Sequence, residues 1–423
     1  MIDSKLLVDE SLAVAARLGT RRTDRAAVDA ARVAVVHQRQ VRAELDELRA
    51  RANRLSKELP DLAKRNDPGL PALREELRAL KTEIAAGAEA ERQANADAAG
   101  LVAALPNIPD PRTPVGSSEE ENRILRVHAD GIGPDSDPRP PHWETAERLR
   151  LADPARAAKL SGAGFTLMRG DGARLLYALA SLGIDLHRDR YEEIRVPHLV
   201  REEMLFGTGH LPRFRDGVYR TEADDLWAVP TAEVPLAGLN QDEIIDPGQL
   251  PLRYVTQLSC FRREAGASGA ETRGIQRLHE YQQVELMRIV HPDTLDSEFE
   301  ILLSDAEVSL RCLDLCYRVV ELCTGDLPFA ATRAYRLDVY SPGMRRWLGV
   351  STVSCFGDYQ ARRSKIRTRI DGRTQFVGTL NGSALAVSRL WGILLETGYQ
   401  GDGTVRLPAA LHGYMGKAVL TGN

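Results

Sequence analysis

Apolar residues on a seven-residue repeat constrain this chain more than any other feature. Leu45, Leu48, Ala52, Leu55, Leu59 and Leu62 step 3, 4, 3, 4, 3, and after a break Leu73, Leu77, Leu80, Ile84 and Gly87 step 4, 3, 4, 3. An average step of about 3.5 keeps a seam on one helix face, so each run predicts a coiled-coil helix. Between them lies KRNDPGLP, where Asn66, Pro68, Gly69 and Pro71 cannot continue a helix. The chain should turn back there, which predicts an antiparallel helical hairpin over about residues 28–101 within an N-terminal domain of residues 1–105. At about 1.5 Å per residue each arm reaches several tens of Å.

Basic residues outnumber acidic ones on the first helix, with Arg39, Arg42, Arg49 and Arg54 among them. On charge alone this is an ordinary solvated face. The whole chain of 423 residues carries a formal net charge of -4, so a uniformly basic nucleic-acid coat is excluded while a local basic face is not. The N-terminus lacks the basic-then-apolar order of a signal peptide, and no run of about 18 apolar residues could span a membrane. A cytoplasmic protein is expected. The five cysteines form no CxxC pair and have no histidine at metal-like spacing, which predicts buried reduced thiols.

Prolines and acids in LPNIPDPRTPVGSSEEEN mark a linker over residues 106–125. Residues 126–423 then mix short β-like runs with helical stretches such as Asp296 to Leu322 and Ala384 to Glu396, the signature of an α+β domain. Phosphate-loop, dinucleotide and HExxH motifs are absent. In their place stands FRREAGASGAETRGIQRLHEYQQVEL, residues 261–286, which reads as strand, loop, strand. Strand side chains repeat every two residues, so Arg262 shares a face with Glu264, and Tyr281 with Gln283 and Glu285. An arginine, an aromatic ring and carboxylates on one surface suit a nucleotide together with an amino acid. The same residues could equally be a salt-bridged sheet surface.

TAEVPL (231–236), FRREAG...ETRG...LHEYQQVEL, CTGDLPF and LNGSALAVSRLWGILLET occur in one order along the chain. In that order and spacing the chain resembles the bacterial-type seryl-tRNA synthetases, which are class II aminoacyl-tRNA synthetases, over nearly its whole length. The resemblance implies a class II antiparallel-sheet catalytic domain with an N-terminal coiled-coil arm, ATP and Mg2+ as cofactors, and L-serine and tRNA(Ser) as partners. It implies that Arg262 clamps the α-phosphate and the serine carboxylate and that Arg389 holds the γ-phosphate, these two being the catalytic residues. Arg263, Glu264, Tyr281, Ser351 and Thr352 fall at ATP-binding positions; the family usually has Phe where Tyr281 stands. Thr231, Ala232, Glu233, Glu285, Asn381 and Ser383, with Arg262, fall at the serine-binding positions. The hairpin arginines would meet tRNA phosphates, the loop GASGAET would face the end of the tRNA, and Pro197 falls in a motif that lies at the family's homodimer interface.

Two positions depart from the pattern. Counting back from DYQARR (358–363) places GVST (349–352) where the family has a Glu-Ile-Ser-Ser-like tetrad, so Gly349 replaces a glutamate that binds ATP and its magnesium. Arg336 replaces what is more often an acid. Magnesium prefers oxygen ligands, usually one or two carboxylates, which leaves Thr352 with water and ATP phosphates to complete a shell. Three readings are open on sequence: a working ligase with a depleted metal site, a specialised paralogue that activates serine for secondary metabolism or another acceptor, and a non-catalytic tRNA-binding relative.

Overall fold

The computed structural model describes residues 1–263 and 274–422, so Glu264 and the whole GASGAET loop lie outside the described residues. The chain divides into two compact units, Ile2–Pro106 and Asn107–Asn423. In the first, two short helices, Ser4–Asp9 and Ser11–Gly19, precede α1 (Arg25–Lys64) and α2 (Leu70–Ala103). The Asp24 carboxylate accepts from the Ala26 N–H at 2.9 Å and caps the start of α1, satisfying a donor that helix geometry leaves open. Asn66 with φ of +47° follows its end, and Pro71 stands in the first turn of α2, where a missing N–H costs nothing. The break therefore falls where the prolines and glycine place it.

The arms run antiparallel, as Gln38 donating to Asn95 at 2.7 Å and Arg51 to Glu76 at 2.5 Å require. Leu45, Leu73 and Leu80 are buried at the seam while their polar neighbours are exposed. At Gly87 an added Cβ would stand 3.1 Å from Leu45 Cδ1, so the missing side chain lets the two helices close on each other. This is why glycine occupies a heptad position.

The second unit is built on an eight-stranded sheet: β1 (Arg123–His128), β2 (Glu192–Glu193), β3 (Leu252–Phe261), β4 (Glu280–Val290), β5 (Tyr317–Glu321), β6 (Arg333–Ser341), β7 (Arg346–Gly357) and β8 (Gly378–Leu385). Its order is β1-β5-β6-β7-β8-β4-β3-β2, antiparallel throughout except for the edge pair of β2 with β3. This is the α+β, antiparallel-sheet architecture expected. β3 and β4 form the long hairpin read from the sequence, with Thr256 opposite Glu285 and Cys260 opposite Tyr281.

Helices α3 (Asp171–Asp185), α4 (Leu295–Cys312) and α5 (Val387–Thr397) pack on the sheet. Val284, Leu286 and Val290 of β4 join Leu179, Phe299, Leu302 and Leu390 in the larger core cluster, whereas Met287 and Ile289 join the smaller one with Leu258 and Cys260. Each such fully buried apolar side chain contributes about 1.5–3 kcal/mol. The two-residue alternation thus sends Gln283 and Glu285 to the face away from those helices. On the helix side Arg288, fully buried, bonds Tyr191 Oη at 2.7 Å, Asp305 at 2.5 Å and Glu298, which ties β4 to α4.

Two expected helix boundaries are corrected. The helix expected to run to Leu322 stops at Cys312, because Asp314 takes a left-handed φ of +52° and Tyr317–Glu321 is drawn into the sheet between β1 and β6. Likewise Ala384 and Leu385 belong to β8, and α5 begins at Val387. Tertiary strand pairing overrode local helical pattern in both places. All five cysteines are free and all but Cys312 are buried. Among the described residues no helix is long and apolar enough to cross a membrane.

Candidate active site

A cavity of about 450 Å³ opens on the sheet between β4, β8 and β7. It brings together Thr231, Glu233, Arg262, Tyr281, Glu285, Ser351, Thr352, Asn381, Ser383 and Arg389, all expected from sequence.

At one end the cross-strand register sets Ser383 of β8 directly opposite Glu285 of β4. Ser383 Oγ donates to Glu285 Oε2 at 3.0 Å and Asn381 Nδ2 to Oε1 at 2.6 Å, so both carboxylate oxygens are held. Burial raises Glu285 to about 8, against the pull of the Asn381 bond, and neighbouring Glu233 adds to the rise. Glu233, at the start of the short helix Glu233–Gly238, is raised by burial to about 7 and accepts from Gln360 Nε2 at 2.6 Å. Thr231 Oγ1 accepts from Gln283 Nε2 at 3.0 Å and from the Glu233 N–H at 3.2 Å. Two buried carboxylates with fixed donors make a site for a small cation that also carries a hydroxyl.

Arg262 is fixed at the end of β3. Its Nε donates to the Pro230 carbonyl at 3.1 Å, the Tyr281 hydroxyl donates to the same oxygen at 2.7 Å, and the guanidinium lies 5.0 Å from the Tyr281 ring centre. One face of Tyr281 is therefore covered by the arginine. At the opposite end Arg389, on α5, donates to the Gly349 carbonyl, and Ser351 Oγ donates to the Ser383 carbonyl at 2.8 Å, tying β7 to β8. Thr352 faces Arg336 across the β6–β7 pair. The cavity thus has a carboxylate end and an arginine end.

Arg263 and Ala232 are placed elsewhere. Arg263 lies 5.3 Å over the Tyr219 ring, and Ala232 is wholly buried; neither lines the cavity. Sequence reasoning passed over Gln360 and His210. Gln360 lies inside the DYQARR segment, and besides donating to Glu233 it accepts from Thr379 Oγ1 at 2.8 Å, so the motif was the available signal. His210 had no signal at all; burial lowers it to about 4, which leaves a neutral ring bonded to Thr208 Oγ1 at 2.8 Å. On α1, Arg39, Arg42, Arg49 and Arg54 are all exposed, and Arg49 pairs with Asp46 at 3.4 Å on the helix surface.

An antiparallel sheet carrying an arginine-flanked pocket of this composition is the core of a class II synthetase: residues 217–398 match the tRNA synthetase class II core domain (G, H, P, S and T), and residues 1–109 match the seryl-tRNA synthetase N-terminal domain. A serine–tRNA ligase of Thermomicrobium roseum is 44% identical over 89% of this chain and 85% of its own. One from a Synechococcus species is 41% identical over 99% of both chains. Among solved structures, the seryl-tRNA synthetase of Pyrococcus horikoshii complexed with ATP superposes with a TM-score of 0.93, at 31% identity and with 100% of each chain covered. The chain belongs to the seryl-tRNA synthetase family, and it is an aminoacyl-tRNA ligase.

Proposed function

We propose that the protein joins L-serine to tRNA(Ser) at the expense of ATP, in two steps within the cavity. The observation that carries this reading is Glu285, only 2% exposed, bonded by Ser383 and Asn381 beside the fixed guanidinium of Arg262. Serine has an ammonium group, a hydroxyl and a carboxylate, and these groups match Glu285 and Glu233 at one end and Arg262 next to them. Alanine would leave the buried polar groups unpaired, which disfavours it far more than an apolar pocket would.

In the first step a serine carboxylate oxygen attacks the α-phosphorus of ATP, the bond to the bridging oxygen breaks, and pyrophosphate leaves with that electron pair. In the second a terminal ribose hydroxyl of the tRNA attacks the seryl carbonyl and AMP leaves. Negative charge spreads over phosphate oxygens in the first step, so positioning and cationic stabilisation do most of the work. Arg262 spans the α-phosphate and the serine carboxylate, Tyr281 offers its uncovered face to the adenine, and Arg389 meets the γ-phosphate. Ser351 and Thr352 border the nucleotide. Arg39, Arg42, Arg49 and Arg54 of the hairpin meet tRNA backbone phosphates, whose neutralisation binds without reading bases.

The active form is read as a homodimer. β1 is an outer strand of the large sheet, and it exposes Ile124, Leu125 and Val127, an apolar edge that a second copy would cover. The cytoplasm is the expected compartment. The test is serine-dependent exchange of pyrophosphate into ATP, followed by charging of tRNA(Ser), with alanine and threonine as controls. Exchange with serine but not alanine, followed by charging, is the expected result; no serine-dependent exchange would end this reading.

A further inference from the structure

The two departures from the family pattern, Gly349 and Arg336, are distant in sequence and adjacent in space. Gly349 of β7 pairs with Asp338 of β6, and Thr352 pairs with Arg336. A β-bulge between Gly349 and Ser351 keeps Gly349 and Thr352 on one face. A Cβ at Gly349 would stand 3.2 Å from Arg336 Cδ, so the arginine's stem lies over the glycine in the space a side chain would take.

Magnesium, which the resemblance implies, asks for oxygen ligands and usually for carboxylates. The residues lining this end are Arg336, Gly349, Val350, Ser351, Thr352 and Arg389; the adjacent carboxylate, Asp338, with Oδ1 3.5 Å from where a Gly349 Cβ would stand, has both oxygens held by Arg336 and Arg318. The Gly349 carbonyl already accepts from Arg389, and the Ser351 hydroxyl is donated to Ser383. Among the described residues no group of three or more His, Cys, Asp or Glu could hold a metal ion. The donor set does not fit a magnesium ion held by the protein.

A cation is nevertheless built in. Arg336 Nε donates to buried Asp338 at 2.8 Å, and Nη1 reaches Asp326 at 3.3 Å and Glu119 at 3.4 Å. Asp338 is shared with Arg318 at 2.9 Å, so both of its oxygens are already taken by guanidiniums. Asp326 and Glu119 are more exposed than Asp338, and both reach Arg336 through Nη1 alone. None of these bonds uses Nη2, and the side chain lines the cavity. Guanidinium matches phosphate oxygens with paired donors.

We infer that Arg336 supplies, beside Arg389, the positive charge for the ATP phosphates that a protein-held divalent cation would otherwise supply, so that this chain binds ATP without magnesium. The inference rests on the proposed serine–tRNA ligase reading for the position of the phosphates. It predicts coupling of the two sites: a carboxylate restored at residue 349 would lie against Arg336, neutralise it and compete with ATP.

The test is calorimetric ATP binding to the full-length protein in magnesium and in EDTA. Wild-type affinity should differ by no more than about threefold between the two, and Arg336→Gln should lose about tenfold or more in EDTA while serine affinity stays within about twofold. Gly349→Glu should weaken ATP binding in EDTA comparably and recover in magnesium. A wild type that loses tenfold or more in EDTA overturns the inference, as does Arg336→Gln binding metal-free ATP normally. If Arg336→Gln does not fold, unchanged metal-free affinity in Gly349→Glu overturns it. Metal-independent ATP binding without serine-dependent exchange would remove the ligase reading and leave this one standing.

Discussion

The two ends of the cavity handle charge in opposite ways. At the amino-acid end Glu285 and Glu233 are buried, each held by short hydrogen bonds, and burial pushes both up into the neutral range. At the phosphate end Arg336 and Arg389 line the wall, the nearby Asp338 carboxylate is held by Arg336 and Arg318, and residue 349 carries no side chain. Buried carboxylates are strained toward neutrality and become better anions when a cation arrives; guanidiniums stay charged whatever surrounds them. The first end therefore gains its selectivity from desolvation, the second its affinity from permanent charge. A ligand with an ammonium group at one end and phosphates at the other fits this polarity in only one orientation.

Removing the carboxylate end has the largest expected effect. Glu285→Ala strands the donors of Asn381 and Ser383, and serine-dependent exchange should fall by about 10³-fold or more with ATP affinity within about twofold. Exchange within tenfold of wild type would mean that serine is not bound there.

Arg262→Ala removes the charge between the two ends. Exchange kinetics should lose about 10²–10³ in kcat/KM, mostly in kcat, because the charge it meets grows in the transition state. A loss confined to KM would make Arg262 a ground-state binder only.

The contrast is sharpened by pH. Glu285 moves from an ordinary 4.5 to about 8, so between those values the unfolded chain gives up its proton first and the folded chain binds more protons. Unliganded stability from this group should therefore fall as pH rises through that window. Serine binding, which needs the ionised carboxylate, should strengthen over the same window by up to about tenfold per pH unit for each proton released. Calorimetry from pH 6 to 8.5 measures it; the profile should become shallower in Glu285→Gln, where Glu233 at about 7 still titrates, and a flat wild-type profile would break the comparison.

The smallest effects lie outside the cavity. Arg42→Ala, Arg49→Ala or Arg54→Ala on α1 should each weaken tRNA binding by a few-fold and lower its salt slope by about one, with exchange unchanged. A change in exchange would mean that the hairpin acts on chemistry at either end.

Much of the fold was legible because it is periodic. Heptads around Asn66 to Pro71 specified a helical hairpin, and the two-residue alternation of β4 specified which face Glu285 takes, since both are local geometry. The end of α4 at Cys312 was illegible, because Tyr317–Glu321 becomes a strand only by pairing with β1 and β6, whose partners lie far off in sequence. In the site, the motif resemblance assigned Thr231, Glu285 and Ser383 to one serine-binding set, and the structure brings them into one cavity. It could not say that His210 lines the pocket as a neutral ring, nor that Arg263 turns to Tyr219.

By itself the sequence determined the residue types that chemistry needs: arginines for phosphate, carboxylates and hydroxyls for serine, and a glycine where a carboxylate was expected. Only the tertiary structure decided what that glycine means. Strand register sets Gly349 against Asp338, a bulge turns Thr352 to the same face, and the stem of Arg336 fills the space. Charge acts through distance in space, and the contacts that set it here come from strands that no local pattern could pair.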